Sequence, residues 1–328
     1  MAYDLHLHSK CSRHVRNVAP SPTQIVLYAK KSGLEGLALT DHDSRAGIME
    51  AQAAAGRIGI GFIPGIEMSF GCDITKEDVK LFGHDIAEDF YVEGEILGYF
   101  INPDYNELRQ IEKDGEDSRR IRDSGLRKAL NIPREELVDD YTRDDLADRV
   151  VEDGLAENRS DAYTKILKPA GKSIVERKKT PLKDVVRIIK DAGGVPIVAH
   201  VGMIIRDYWL WPPDAFGYPD EDLRKGLPEY DSDRDFEKTL LPILLESGIK
   251  GFEVYPYALV GKGVSQIEMI FFNFYAEKLN QEHNLINRIR GSDCHFQPNI
   301  NTQIGCWQTD ISIIKMLKEE HLKITKAL

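Results

Sequence analysis

The sequence predicts an α/β fold in which strands alternate with helices and deliver candidate metal ligands at their C-terminal ends. Three observations carry this expectation. Residues Met1 to His8 alternate Tyr3, Leu5 and Leu7 with Asp4, His6 and His8, the period of two that marks a strand with distinct faces. A β-α-β-α rhythm runs through the first seventy residues and returns after residue 180. His42, His200, Asp293 and His295 each fall just past a predicted strand, where a βα barrel gathers its active site.

Composition sets the outer limits. The chain has 328 residues, 42% hydrophobic and 30% charged, enough for one barrel with an insertion or for two domains. No apolar run approaches the ~18 residues of a membrane span, and the N-terminus enters a strand where a signal peptide would stand, so a cytoplasmic protein is expected. Cys11, Cys72, Cys294 and Cys306 are scattered, without the spacing of a zinc ribbon or a disulfide framework. The formal charge of -11 argues against a broad duplex-DNA surface. It leaves room for an anionic small substrate, because bound cations reverse the sign of a carboxylate-rich site.

The elements follow in order. His6 and His8 point to one side of the first strand and could grip one cation, although two histidines can also decorate a wet strand face. A polar loop with His14 leads to Ser21-Pro22, a cap and first-turn pair that opens a helix running to about Gly33. The strand G-L-A-L-T delivers Asp41, His42 and Asp43, and an Ala-rich helix is expected from Arg45 to Arg57. The next strand, G-F-I-P-G-I-E-M-S-F, carries Glu67 in an apolar run; a buried carboxylate there needs a cation or hydrogen bonds. After Thr180-Pro181 an amphipathic helix ends at Gly193-Gly194, V-P-I-V-A delivers His200, and G-F-E-V-Y (251–255) reads as a further strand. A long apolar helix spans about 265–280, R-I-R-G-S-D-C-H brings Asp293 and His295, and a last helix lies near 312–321. Residues 102–179 differ: they are dense in charge, helical in spacing and poor in strand formers, the pattern of a helical insertion. Charge runs such as Arg119-Arg120 read there as solvated helix faces.

The ordered set H-x-H, T-D-H-D, a strand Glu, A-H-x-G and S-D-x-H resembles the PHP (polymerase and histidinol phosphatase) family. The likeness is greatest to its branch of small phosphoesterases and nucleotide phosphatases with a helical insertion. The blocks Y-D-L-H-L-H-S, L-A-L-T-D-H-D, I-P-G-I-E-M-S, E-I-L-G-Y-F-I, D-A-G-G-V-P-I-V-A-H-V-G, G-F-E-V-Y and G-S-D-C-H carry it along nearly the whole chain. It implies a distorted seven-stranded βα barrel made of residues 1–101 and 180–328, with 102–179 lying over the active-site mouth.

It also implies a trinuclear metal centre. By motif, His6, His8, Glu67 and Asp293 hold one metal; Glu67 bridges to a second with His200; and His14, His42 and His295 hold the third. Two to three divalent ions are expected, and the mixture of imidazole and carboxylate suits Mn, Zn or Fe(II) without choosing among them. Relatives begin the I-L-G-Y strand with His where this chain has Glu95, the expected ligand to the second metal, with His84 as its competitor. The branch's G-R-P-H block appears as T-R-D-D, which leaves Arg143 as the candidate phosphate-binding residue.

The implied reaction is hydrolysis of a phosphomonoester, or a short phosphodiester, of a small metabolite, most readily a nucleotide. A hydroxide bridging two metals attacks, with Glu67, Asp293 and Arg143 as the catalytic set. Trp209, with Trp211, is a candidate stacking platform for a base, or an apolar loop packed under the insertion. The alternatives are a histidinol-phosphate-type phosphatase and a non-catalytic metal-binding module. The sequence says nothing of oligomeric state.

Overall fold

The computed structural model describes residues 2–12, 19–139, 141–171, 179–208, 232–254, 266–295 and 304–328. A curled sheet takes the order β6-β4-β3-β2-β1-β7, with β5 beside β3. Its strands are β1 (Ala2–Asp4), β2 (Gly36–Leu39), β3 (Gly61–Ile74), β4 (Phe90–Tyr99), β5 (Thr180–Pro181), β6 (Val195–Val198) and β7 (Thr309–Asp310). β1, β2 and β3 are parallel neighbours, whereas β4 runs antiparallel to both β3 and β6. Parallel neighbours require crossovers, and α1 (Pro22–Lys31) and α2 (Ile48–Ile58) supply them. Gly36, at the start of β2, is needed for a close approach: a Cβ there would stand 1.8 Å from the ring of Tyr3.

Local chemistry explains the helix boundaries. Ser21 caps α1 in a capping box with Gln24, and Pro22 occupies the first turn, as the sequence predicts. The second helix begins three residues later than expected, at Ile48, because the Ser44 hydroxyl and the Arg45 amide bond the carboxylate of Glu112 instead of entering a helix. Thr180 and Pro181 pair with Phe70 and Gly71 of β3 as a short edge strand, and Pro181 is at once the N-cap of α8 (Leu182–Asp191), where the sequence expects that helix to open. α8 buries Leu182, Val185, Val186, Ile188 and Ile189, an apolar stripe at helical spacing.

The expected strand at 251–255 is reduced to a parallel bridge between Val198 and Phe252, and Tyr255 lies outside the described residues. Its backbone is nevertheless bonded on both sides. Val198 N–H donates to Gly251 O at 2.9 Å, and Val254 N–H donates to Ile289 O at 2.8 Å. Beyond it, Leu5 N–H donates to Arg290 O and His8 N–H to Cys294 O, both at 3.3 Å. α9 (Val201–Asp207), α10 (Leu240–Ser247), α11 (Gln266–Glu282) and α12 (Ile311–Ala327) complete this half.

Between β4 and β5 the described residues hold helices and no strand: α4 (Asn106–Ala129), α5 (Arg143–Glu152), α6 (Arg159–Asp161) and α7 (Lys168–Gly171). This segment holds an apolar cluster of Leu126, Leu146, Val150 and Leu167, separate from the clusters packed on the sheet. No helix among the described residues is long and apolar enough to cross a membrane.

Candidate metal centre

The strand ends bring eight of the nine anticipated ligands together: His6, His8, His42, Glu67, Glu95, His200, Asp293 and His295 form four overlapping groups whose donor atoms lie within 4.8 Å of one another. The groups are His6, His8 and Asp293; His6, Glu67 and His200; His42, Glu67 and Glu95; and His8, His42 and His295. His14 and Trp209, like Trp211, lie outside the described residues.

Glu67 stands at the centre. It is fully buried in β3. Its Oε2 faces three imidazole nitrogens, His6 Nε2 at 3.2 Å, His8 Nε2 at 3.3 Å and His42 Nδ1 at 3.0 Å. Its Oε1 is 3.0 Å from His200 Nε2. Register accounts for Glu95. The antiparallel pairs Glu67–Leu97 and Ser69–Glu95 put both glutamates on one face of the β3–β4 ribbon. Glu95 is there 3.3 Å from both His42 Nδ1 and His200 Nε2. His84 follows α3 (Lys76–Leu81) in the β3–β4 connection and belongs to none of the four groups. Glu95 stands five residue steps along the strand from Phe90, where β4 begins, roughly 16 Å of extended chain.

Three residues here have positive φ without being glycine: Asp43 (47°), His200 (28°) and Asp293 (50°). Each such conformation costs about 1–3 kcal/mol and persists only where the surroundings impose it. Chain packing is correspondingly close: a Cβ at Gly291 would lie 2.3 Å from the His6 backbone nitrogen.

Burial opposes charge on His6, but the carboxylates of Glu253, Glu67 and Asp293 hold its pKa well above the ordinary value. Burial likewise works against His200, yet the Glu67 hydrogen bond and charge raise it to about 9. Burial and the neighbouring His42 press His8 down to about 4. Glu67, which burial alone would raise, is kept well below its usual range by His42 and His6. Carboxylates that raise the proton affinity of imidazoles present a set of lone pairs that suits a divalent cation equally well. His6 Nε2 and Glu67 Oε2 also suit a shared cation. Both are buried without a hydrogen-bond partner, although they stand 3.2 Å apart.

Four residues beyond the anticipated set support this cluster. Glu253 contacts His6 Nδ1 at 2.9 Å. Asp41 accepts from Ser12 Oγ at 2.9 Å, and that hydroxyl lies 3.1 Å from His8 Nδ1. Arg119, anticipated on a solvated helix face, is buried in α4 and forms an ion pair with Asp43 beside His42. Arg143 is placed elsewhere: its guanidinium lies over the Tyr163 ring, 4.8 Å from the centroid, and among the described residues it does not touch the cluster. A helical charge pattern gave no sign of the Arg119–Asp43 pair, because the partner is 76 residues away in sequence.

Fold and site thus define an α/β protein with a buried carboxylate–imidazole cluster fit for divalent metals. The model of the PHP domain matches residues 4–190, more than half of the chain, and the chain belongs to the PHP family. It is a hydrolase of the phosphoesterase class. A 5'-3' exoribonuclease of Haemophilus influenzae is 27% identical over 255 residues, 72% of this chain and 86% of that protein. A 3',5'-nucleoside bisphosphate phosphatase of Chromobacterium violaceum is 28% identical over 206 residues, 61% of this chain and 66% of that one. Among solved structures, a provisionally assigned metal-dependent phosphoesterase of Bifidobacterium adolescentis superposes with a TM-score of 0.65 at 22% identity, covering 97% of this chain and 96% of that one, a likeness of fold.

Proposed function

We propose that this chain hydrolyses the phosphoester of a nucleotide at a cluster of two to three divalent metals. The observation that carries this reading is Glu67, one buried carboxylate whose two oxygens face four imidazoles. His6, His8, Glu67 and Asp293 would hold one ion. Glu67, Glu95 and His200 would hold a second, and His42 and His295, with His14, a third. Divalent metals bound there supply Lewis acidity, acidifying water to a pKa of about 7 and neutralising phosphoryl charge.

The chain's own residues do the rest. Glu67 would offer one carboxylate oxygen to each of two neighbouring ions, and Asp293, 3.2 Å from His8 Nε2, would complete the set around His6 and His8. Arg119 replaces Arg143 as the candidate phosphate-facing cation, because its helix reaches the loop after His42. The Ser44 and Arg45 bonds to Glu112 of α4 support an insertion seated over the mouth, with 102–179 as its span. The backbone bonds that run from β6 through 250–254 and 286–290 to residues 5–8 support a seven-membered ring of strands.

A nucleotide is favoured over histidinol phosphate because the Chromobacterium relative is named a nucleoside bisphosphate phosphatase. The Haemophilus relative, matched over 86% of its length, favours a second reading, removal of nucleotides from the 5' end of RNA. The experiment is phosphate and nucleotide release by metal-loaded protein from nucleoside bisphosphates, nucleoside monophosphates, short RNA and histidinol phosphate. Turnover of nucleotides or RNA well above histidinol phosphate is expected. Activity on histidinol phosphate alone, or on none of these, would sink the proposal.

A further inference from the structure

Glu253 is a buried carboxylate that is not one of the eight candidate ligands, yet it uses both oxygens on them. Its side chain is 0% exposed. Oε1 lies 2.9 Å from His6 Nδ1, and Oε2 accepts the backbone N–H of His200 at 3.2 Å. Flanked by buried Phe252 and Val254, a carboxylate in such a place is costly unless its hydrogen bonds are met.

We infer that Glu253 is a positioning residue for the metal centre, fixing the His6 imidazole and the His200 backbone together; this rests on the metal-dependent reading above. By taking the Nδ1 side of His6, it leaves Nε2 directed at Glu67 and Asp293. An outer carboxylate on a ligating imidazole fixes the tautomer and ring orientation and strengthens the ligand. At His200 the same carboxylate holds the amide of a residue whose φ is 28°, a strained conformation that needs an external hold. One side chain therefore ties together two ligand segments that are far apart in sequence.

The scaffold under Glu253 is rigid in the way this role requires. Asn280, fully buried in α11, accepts from Phe252 N–H and donates to Phe252 O, both at 2.8 Å. Glu253 N–H donates to Val198 O at 2.8 Å, and Val254 N–H to Ile289 O at 2.8 Å. His8 is served differently: its Nδ1 meets the Ser12 hydroxyl, which is in turn bonded to Asp41. Both imidazoles of the H-x-H pair are thus held at Nδ1, and each hold reaches a second ligand segment: the Ser12 hydroxyl also accepts the His42 backbone N–H at 3.0 Å, whereas the hold on His6 reaches His200 through a carboxylate.

The test is metal affinity, measured by chelator competition and by metal per chain, on wild type, Glu253→Gln and Glu253→Asp, with circular dichroism to confirm folding. Glutamine has one oxygen and cannot accept from both partners, so affinity should fall by about 10- to 100-fold. Aspartate keeps the charge but stops one methylene short, and should lie between Gln and wild type. A folded Glu253→Gln, or, if that variant does not fold, a folded Glu253→Asp, with wild-type affinity and stoichiometry would overturn the inference while leaving the metal reading intact. Wild type that binds less than one metal after reconstitution would defeat the metal reading itself, and the inference with it.

Discussion

Glu67 in β3 and Asp144 in α5 are both carboxylates withdrawn from water, yet their surroundings differ in kind. Asp144 receives the Tyr163 hydroxyl and has the Arg159 guanidinium at 3.6 Å, with Asp148 taking the other side of that arginine. Burial pushes Asp144 up, but a permanent cation and a hydroxyl donor stand against it. The helical segment therefore satisfies its buried charge from within. Glu67 faces imidazoles that carry charge only when protonated, and its Oε2 has no hydrogen-bond partner. The first arrangement is complete as it stands, whereas the second is, on the proposed reading, one that cations from outside would complete. Buried polar groups that a fold leaves half-satisfied mark the place where it expects a ligand.

The sharpest way to break this comparison is to neutralise Glu67. Glu67→Gln keeps the shape but removes the charge proposed to bridge two ions. Hydrolysis should drop by about 1,000-fold, roughly 4 kcal/mol of transition-state stabilisation, in a protein that still folds. Near wild-type phosphate release at saturating metal would show that the carboxylate has no such role.

Next in size is the contact between the two regions. Arg119→Ala strands Asp43, a residue only 3% exposed, without its guanidinium. Removing one partner of a buried pair costs about 3–5 kcal/mol, measurable by denaturant unfolding. A loss below 1 kcal/mol would mean that the pair is open to water and α4 is not seated on the loop.

The second metal position gives a difference between two variants. Glu95→Ala should lose one bound metal per chain, and His84→Ala none, because Glu95 shares the sheet face of Glu67. The reverse result would put His84 in the centre and the β3–β4 register in error. The smallest effect belongs to the helical segment's own chemistry. Asp148 is 43% exposed and its loss leaves Arg159 facing Asp144, so Asp148→Ala should cost no more than about 1 kcal/mol, with metal content unchanged. A parallel loss of metal would erase the distinction between the regions.

The parts legible in the sequence are those written in local pattern. The Ser21 capping box, the apolar stripe of α8 and the alternation that aims Glu95 with Glu67 all depend on near neighbours. The H-x-H pair, the strand Glu and the residues just past strand ends are local signals too, and in the structure they converge. What stayed hidden depends on distant partners. Glu253 reads only as part of a strand until His6, 247 residues away, is seen at its oxygen. Arg119 and Arg120 are equally basic in the chain, but one is buried against Asp43 and the other is exposed and paired to Glu116 within its helix. The start of α2 departs from the local pattern for the same reason, since Glu112 captures Ser44 and Arg45 from another element.

The central claim is that the carboxylate–imidazole cluster is a metal centre, and elemental analysis of purified protein reconstituted with Mn or Zn tests it most directly. The account predicts two to three divalent metals per chain, displaced together by a strong chelator with loss of phosphate release. Less than one metal per chain after reconstitution would contradict it.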